Sequence, residues 1–391
     1  TQAGTGTTRL TGTNTYAGIT TISAGILQVG NAGTTGTLGS GAVTNNANLT
    51  FNRTNALAVT NDIGGTGSVT QAGTGTTTLT GANTYSGITT ISAGILQIGN
   101  AGTTGSLGTG AVANTANLTF NRTDAITVAN AISGTGGTLT QAGTGTTTLT
   151  GINTYTGITK ISAGTLRIGN TGSTGSLGTG AVTNNGNLTF DRTNALAVAN
   201  NISGTGNLTQ AGTGTTTLSG TNTYTGTTTI SAGILSISSE ARLGNNPGVF
   251  NAGQLTLDGG TLAPSGTFTI NDANRGITIG TSGGTFDTGA NTLTLASIIA
   301  GSGVLTKSGT GTLILNGTSA NTHTGNVTVS TGILRVNKAV ANGTFGDSAA
   351  LTVNGGAFLN FNNGLNETIG SLSGGGTVDN INATAMTLTT G

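Results

Sequence analysis

The chain repeats itself, and nothing else in the sequence limits its fold as much. A phrase of about thirty residues, QAGTGTTTLTGANTYSGITTISAGILQIGN at Gln71, also begins at Gln2, Gln141 and Gln210, at nearly constant intervals, and a diverged copy begins at Lys307. A fixed period of this kind means that one unit is stacked on the next, because a single unit cannot bury its own apolar face. The fold is an array rather than one closed globule.

Composition narrows the kind of array. With 72 glycines, two prolines and 5% charged residues among 391, the chain fits no ordinary soluble enzyme. Disordered chains are rich in charge and proline and poor in β-branched residues. Here runs such as ITTIS, NLTF, AITV and LTLD recur between glycines and asparagines, the pattern of short strands bounded by turns. The absence of cysteine removes disulfides and thiolate metal sites, and is compatible with export through an oxidising compartment. A net charge of +1 leaves no electrostatic footprint, so neither nucleic acid nor anionic lipid is expected as a partner. The chain has no apolar run long enough for a transmembrane helix and begins at Thr1 inside a repeat phrase, which reads as a segment of something longer.

Aliphatic residues of the strand-like runs fall at Leu27, Leu49, Val69, Leu96, Leu118, Leu139, Leu166, Leu188, Leu208 and Leu235. Their spacing is nearly even except for a longer step from Val69 to Leu96, from Leu139 to Leu166 and from Leu208 to Leu235. If each step is one coil, three coils of about 20–27 residues make one ~70-residue repeat, and each aliphatic side chain stacks roughly 4.8 Å above the previous one. Alternation along each strand turns these side chains inward. The fold class expected is all-β, a parallel β-helix or β-solenoid. Residues 1–235 hold the regular repeats. Residues 236–391, which carry most of the charge, are expected to be a less regular continuation of the same β-helix.

The run GTGTTTLTGANTYSGITTISAGILQIGN resembles the autotransporter-associated beta-strand repeat, also called the passenger-associated transport repeat. Its hallmark, G-T-G-T-L-x-L-x-G-x-N-T-Y-x-G-x-T-x-V-x-x-G-x-L-x-V, is met at nearly every position in the four full copies. LASIIAGSGVLTKSGTGTLILNG from Leu295 and IGSLSGGGTV from Ile369 are also phrases typical of such passengers, while the stretches between phrases resemble them more loosely. The resemblance implies a right-handed parallel β-helix, the hand that parallel crossovers also favour. It further implies an extracellular or bacterial outer-surface location reached by type V secretion, and no single activity.

Two recurring sets of residues are candidate contact sites. Tyr16, Tyr85, Tyr155 and Tyr224, with His323 in the diverged copy, follow Asn-Thr in each phrase. They read either as a surface contact row, one residue every three coils, or as lids packed over a loop with their hydroxyls on backbone, and the packed reading is preferred. Arg53, Arg122 and Arg192, in NRT and DRT runs, read as a basic stripe that is solvated and weakly paired.

Catalytic, cofactor and metal sites are not expected. Glycan-cleaving β-helices need facing carboxylates or calcium-binding ones, and ten acidic residues spread over the chain do not stack on one face. The nearest approach, Asp258 with Arg275, reads as a surface ion pair. Glycine strings open no helix here, so they are corners rather than phosphate loops. Outward threonines invite comparison with ice-binding solenoids, but TTT recurs only once in three coils. The function expected is an extracellular structural or adhesive rod or fibre segment of a bacterial surface protein, of the kind found in biofilms, that self-associates end to end into filaments and contacts host or cell-surface glycans or proteins. The alternative is a carbohydrate-active or carbohydrate-binding β-helix with its site in the C-terminal third.

Overall fold

A computed structural model describes the whole of Thr1–Gly391. The chain divides into two compact units, Thr1–Leu188 and Thr189–Gly391. Both are parallel β-solenoids of short strands, and the one helical element is a 3-10 turn at Glu240–Leu243. No helix is long and apolar enough to cross a membrane.

In the first unit each strand pairs in parallel with the strand one coil away. One ladder runs Leu27, Leu49, Val69, Thr89, Val112, Ile132. A second runs Thr77, Leu96, Leu118, Leu139, Thr159, Val182. Inward side chains beside them form mixed files, such as Val29, Phe51, Gln71, Ile91 and Asn114, all sealed from solvent or nearly so. Outward partners on the same strands are small and mostly uncharged, as in Thr50, Thr70 and Thr90.

These registers correct the expected division of one repeat into three coils. Val69 does not stack under Leu96; its partner on the next coil is Thr89, and Leu96 lies on the following strand of that same coil. The longer step is one ordinary coil plus the passage to a neighbouring face. Strand Ile26–Gly33 pairs with Thr7–Leu10 and Asn48–Arg53. Its counterpart one repeat later, Ile95–Gly102, belongs to a different sheet, between Thr76–Leu79 and Asn117–Arg122. The next counterpart, Thr165–Gly172, belongs to a third, beside Thr146–Leu149. One repeat is therefore three coils plus about one face, and its features turn from face to face as the chain advances.

The third face contains coils without strands. There Ile63 N donates to Asn83 Oδ1 at 3.1 Å, Asn83 Nδ2 to Ser106 O at 2.7 Å, and Asn130 Nδ2 to Gly108 O at 2.8 Å. Successive coils are thus joined through asparagine side chains where a β ladder is missing, which satisfies backbone groups that would otherwise be buried without partners.

In the second unit the same construction runs through Ser236. Leu235 pairs with Leu262 and Thr228 with Leu255, so this coil is longer than the one that carries Thr209 to its partner Thr229. The extra length forms the segment between Ile237 and Asn251. Beyond it the ladder Leu262, Phe286, Lys307, Val329, Val353 continues at nearly even spacing.

Phe120 fills the interior beside Ile98 and Gln141 and is fully buried, whereas Thr119 points outward. Phe120→Ala should lower unfolding free energy by about 3–5 kcal/mol, and Thr119→Ala should change it by no more than about 0.5 kcal/mol. Urea unfolding of the two variants checks both.

Candidate functional site

The tyrosines are not a contact row. Tyr85, Tyr155 and Tyr224 have no exposed surface, and His323 is 3% exposed; only Tyr16, in the first coil, reaches solvent, at 40%. Each hydroxyl pairs with the threonine four residues on, Thr20, Thr89, Thr159 or Thr228, at 2.7–2.9 Å. The three buried tyrosines are packed in this way, with a threonine hydroxyl as a partner and, at Tyr85 and Tyr155, the backbone of Gly108 and Gly178 as well. Burial accordingly pushes the phenol pKa up at the three buried tyrosines, for Tyr224 to about 12. Because each repeat advances by a face, Tyr16, Tyr85 and Tyr155 could not line up along the first unit even if exposed.

The ring is held by the coil above. At Gly108 a Cβ would stand 2.3 Å from the carbonyl oxygen of Tyr85 and 2.5 Å from its ring, and Gly178 covers Tyr155 in the same way. Asn83 and Asn153 tie the loop down on both sides, accepting from Ile63 N and Ile132 N and donating to Ser106 O and Ser176 O. The Asn-Thr-Tyr segment is a strut that spans three coils. In the diverged copy His323 takes the tyrosine position, its Nε2 lies 2.8 Å from Gly303 O, and Val327 stands where the threonine would be. Burial lowers the imidazole pKa there.

The arginines are half-buried clamps, not a loosely solvated stripe. Arg53 donates to Gly36 O and Thr34 O at 2.9 and 2.6 Å, and Arg122 to Gly105 O and Thr103 O. Each of these guanidinium groups closes on the loop of the coil beneath, and its remaining face meets the residue two further on. Arg122 pairs with Asp124 at 2.7 Å, while Arg53 and Arg192 hold the oxygens of Asn55 and Asn194. The bond from Arg122 lowers the Asp124 pKa.

Asp258 and Arg275 do not pair. Asp258 accepts from Ser282 N, and Arg275, fully buried, binds Glu240 at 3.0 Å and the carbonyls of Leu243, Gly244 and Asn245. The arginine is the internal peg of the long coil, a role its sequence neighbourhood did not reveal.

Three further buried ionisable groups also went unread in the sequence. Lys307 occupies the position of Gln71, Gln141 and Gln210. Those glutamines donate to the carbonyls two and four residues on, whereas Lys307 Nζ donates to Ser308 O, Gly309 O and Thr331 O at 2.8–3.1 Å. Lys338 Nζ donates to Ser297 O and Ser319 O. Burial lowers both ammonium pKa values to about 8, with Asp287 acting against it at Lys307. Glu367 accepts from Thr344 N and Phe345 N; burial raises its pKa, and those two bonds offset part of the rise. The signal available was the alignment of Lys307 with the glutamines of the other copies.

No group of three or more His, Cys, Asp or Glu side chains is placed to hold a metal ion. The residues that recur in the phrase converge on neighbouring coils rather than on a common cleft.

Gly108→Ala should destabilise the first unit by about 1–3 kcal/mol through overpacking against Tyr85, and Tyr85→Phe by about 1 kcal/mol through loss of one buried hydrogen bond. Chemical unfolding checks both. A lysine whose folded pKa lies near 8 and whose unfolded value is 10.5 is charged in both states below pH 8, and neutral only when folded between the two values. Its contribution to stability therefore rises as pH climbs from about 8 to 10.5. Lys307→Gln should flatten that rise, leaving the part due to Lys338, as read from unfolding midpoints across this range.

A family model described as the passenger-associated-transport repeat matches residues 1–29, 69–98, 139–168, 208–237 and 305–336. The chain is also 39% identical over 124 residues to the protein named adhesin BmaC autotransporter, of Brucella suis biovar 1 (strain 1330). The match spans 31% of this chain and 3% of that protein, so the chain corresponds to a small part of its relative. No solved structure matches it.

Proposed function

We propose that this chain, which carries five passenger-associated transport repeats and is distantly similar to an autotransporter adhesin, is a surface-exposed or secreted passenger segment whose work is mechanical. It is a scaffold that carries the adhesive part of a longer surface protein away from the cell. The observation that supports this reading is where the recurring residues point. Gln71, Asn83, Tyr85, Arg122 and Asn130 each bind backbone or hydroxyl groups of their own loop or of an adjoining coil. What the repeat encodes is stackability, so length can grow by whole copies. Contacts with host or cell-surface glycans or proteins belong to the rest of the longer protein. End-to-end association of such segments into fibres is the further step of the same reading.

Length is the property to vary. Deleting residues 71–140 joins Thr70 to Gln141, restores the same local sequence and removes one full repeat. Displayed on a non-adherent bacterium with a known binding module at its tip, the shortened chain should remain protease-resistant and carry the module closer to the surface, so that binding to a sterically shielded target falls. Deleting 71–103 removes about one and a half coils, leaves too few residues between Val69 and Val112 to close a coil, and should give a protease-sensitive chain. Adhesion by the displayed chain with no module attached would refute the scaffold reading, because the receptor-binding surface would then lie on the repeats.

A further inference from the structure

The chain contains five Asn-Gly steps, at Asn185, Asn316, Asn342, Asn354 and Asn363. Such a step can convert itself, because glycine offers no side chain to hinder attack by its own amide nitrogen on the asparagine carboxamide. Conversion requires that this carboxamide be free to turn. In three of the five it is not. Asn316 Oδ1 accepts from Asn337 Nδ2, and Asn342 Oδ1 accepts from Thr368 Oγ1. Asn363 is held at both ends, donating to Lys338 O and accepting from Leu365 N. Asn185 has an interaction with its surroundings, and its backbone N donates to Ile161 O.

Asn354 differs. It stands at an exposed corner between strands Ala350–Val353 and Phe358–Phe361, and its carboxamide makes no hydrogen bond. Its backbone is fixed, with Asn354 N donating to Val329 O and Asn354 O accepting from Ala357 N, but Gly355 N has no partner. A Cβ on Gly355 would meet nothing within 4 Å, so the space around the corner is open. The next coil turns over it with three consecutive glycines, Gly374–Gly376, which place no side chain across the site.

We propose that the Asn354–Gly355 corner is a self-modification site, at which the folded chain deamidates to aspartate and isoaspartate. The Gly355 nitrogen gives up its proton and attacks Asn354 Cγ. A new C–N bond closes a five-membered imide as the Cγ–Nδ2 bond breaks, and Nδ2 leaves as ammonia with the proton. Water then opens the ring. Addition at Cγ gives aspartate, and addition at the main-chain carbonyl gives isoaspartate, with the backbone running through the former side chain. The product adds a negative charge to a chain with 5% charged residues, and isoaspartate lengthens the corner by one atom. The glycine corner above leaves room for it. The inference does not depend on what the chain binds.

The test is to age the folded protein in mildly acidic and mildly alkaline buffer, digest it, and locate by mass spectrometry the peptides that become one dalton heavier. Most of the gain should fall on the peptide containing Asn354, faster in alkali, where the attacking nitrogen loses its proton more readily, and Gly355→Ala should largely abolish it. In urea the five steps should react alike, because folding is what separates them. Native conversion at Asn354 no faster than at the other four steps, or equal ratios between the steps in native and denatured protein, would overturn the proposal.

Discussion

Each coil of this chain must leave the β ladder at its corners and along its strandless faces, and a backbone carbonyl or amide buried there without a partner costs about as much as a lost hydrogen bond. The rest of the structure depends on how those groups are met. The means is a set of carboxamides. Asn130 Nδ2 takes the carbonyls of Gly108 and Gly110, Gln71 Nε2 those of Gly73 and Gly75, and Asn83 serves the coil below and the coil above. A neutral amide donates strongly and has no charge to desolvate. This explains how a chain with 5% charged residues can hold long irregular loops against its core.

The fractional repeat follows from the same economy of parts. A repeat of three coils plus a face places the Asn-Thr-Tyr strut on a new face each time, so a strandless stretch is followed along that face by regular ladder. In the first unit the face that carries Asn83–Tyr85 is strand again by Ala125–Val128. The interior files are meanwhile reproduced face by face, as Phe51, Gln71, Ile91, Asn114 on one and Phe120, Gln141, Ile161, Asn184 on the next. A sequence period therefore appears in the structure as a rotation. Any feature borne by the repeat is displayed around the solenoid rather than along it.

That rotation marks the limit of what could be read from the sequence. The strands, their inward residues and the parallel stacking were legible, because period-2 alternation and a fixed repeat report directly on burial. The fractional phase was not, since the longer step from Val69 to Leu96 looks the same whether the coil is long or the face has changed. Tyrosine was ambiguous for a related reason: its polarity suits an exposed site and a buried one with a partner equally well, and the partner, Thr89, is visible only once the loop is folded. Arg275 could not have been placed from sequence, as its acceptors lie far back along the chain on a segment without counterpart in the other copies.

The diverged copy separates position from residue identity. At its tyrosine position it has His323, and the threonine that would have met the hydroxyl is Val327, so both members of the hydroxyl pair are replaced together. At its glutamine position it has Lys307, which still serves the carbonyls of its own corner and adds Thr331 O from the next coil. Lysine brings a third donor, and burial of its charge is the cost that appears in its lowered pKa. The fold thus requires donors aimed at corner carbonyls more than it requires particular side chains. Copies can diverge while coils continue to stack, provided each substitution leaves the backbone at the corners satisfied.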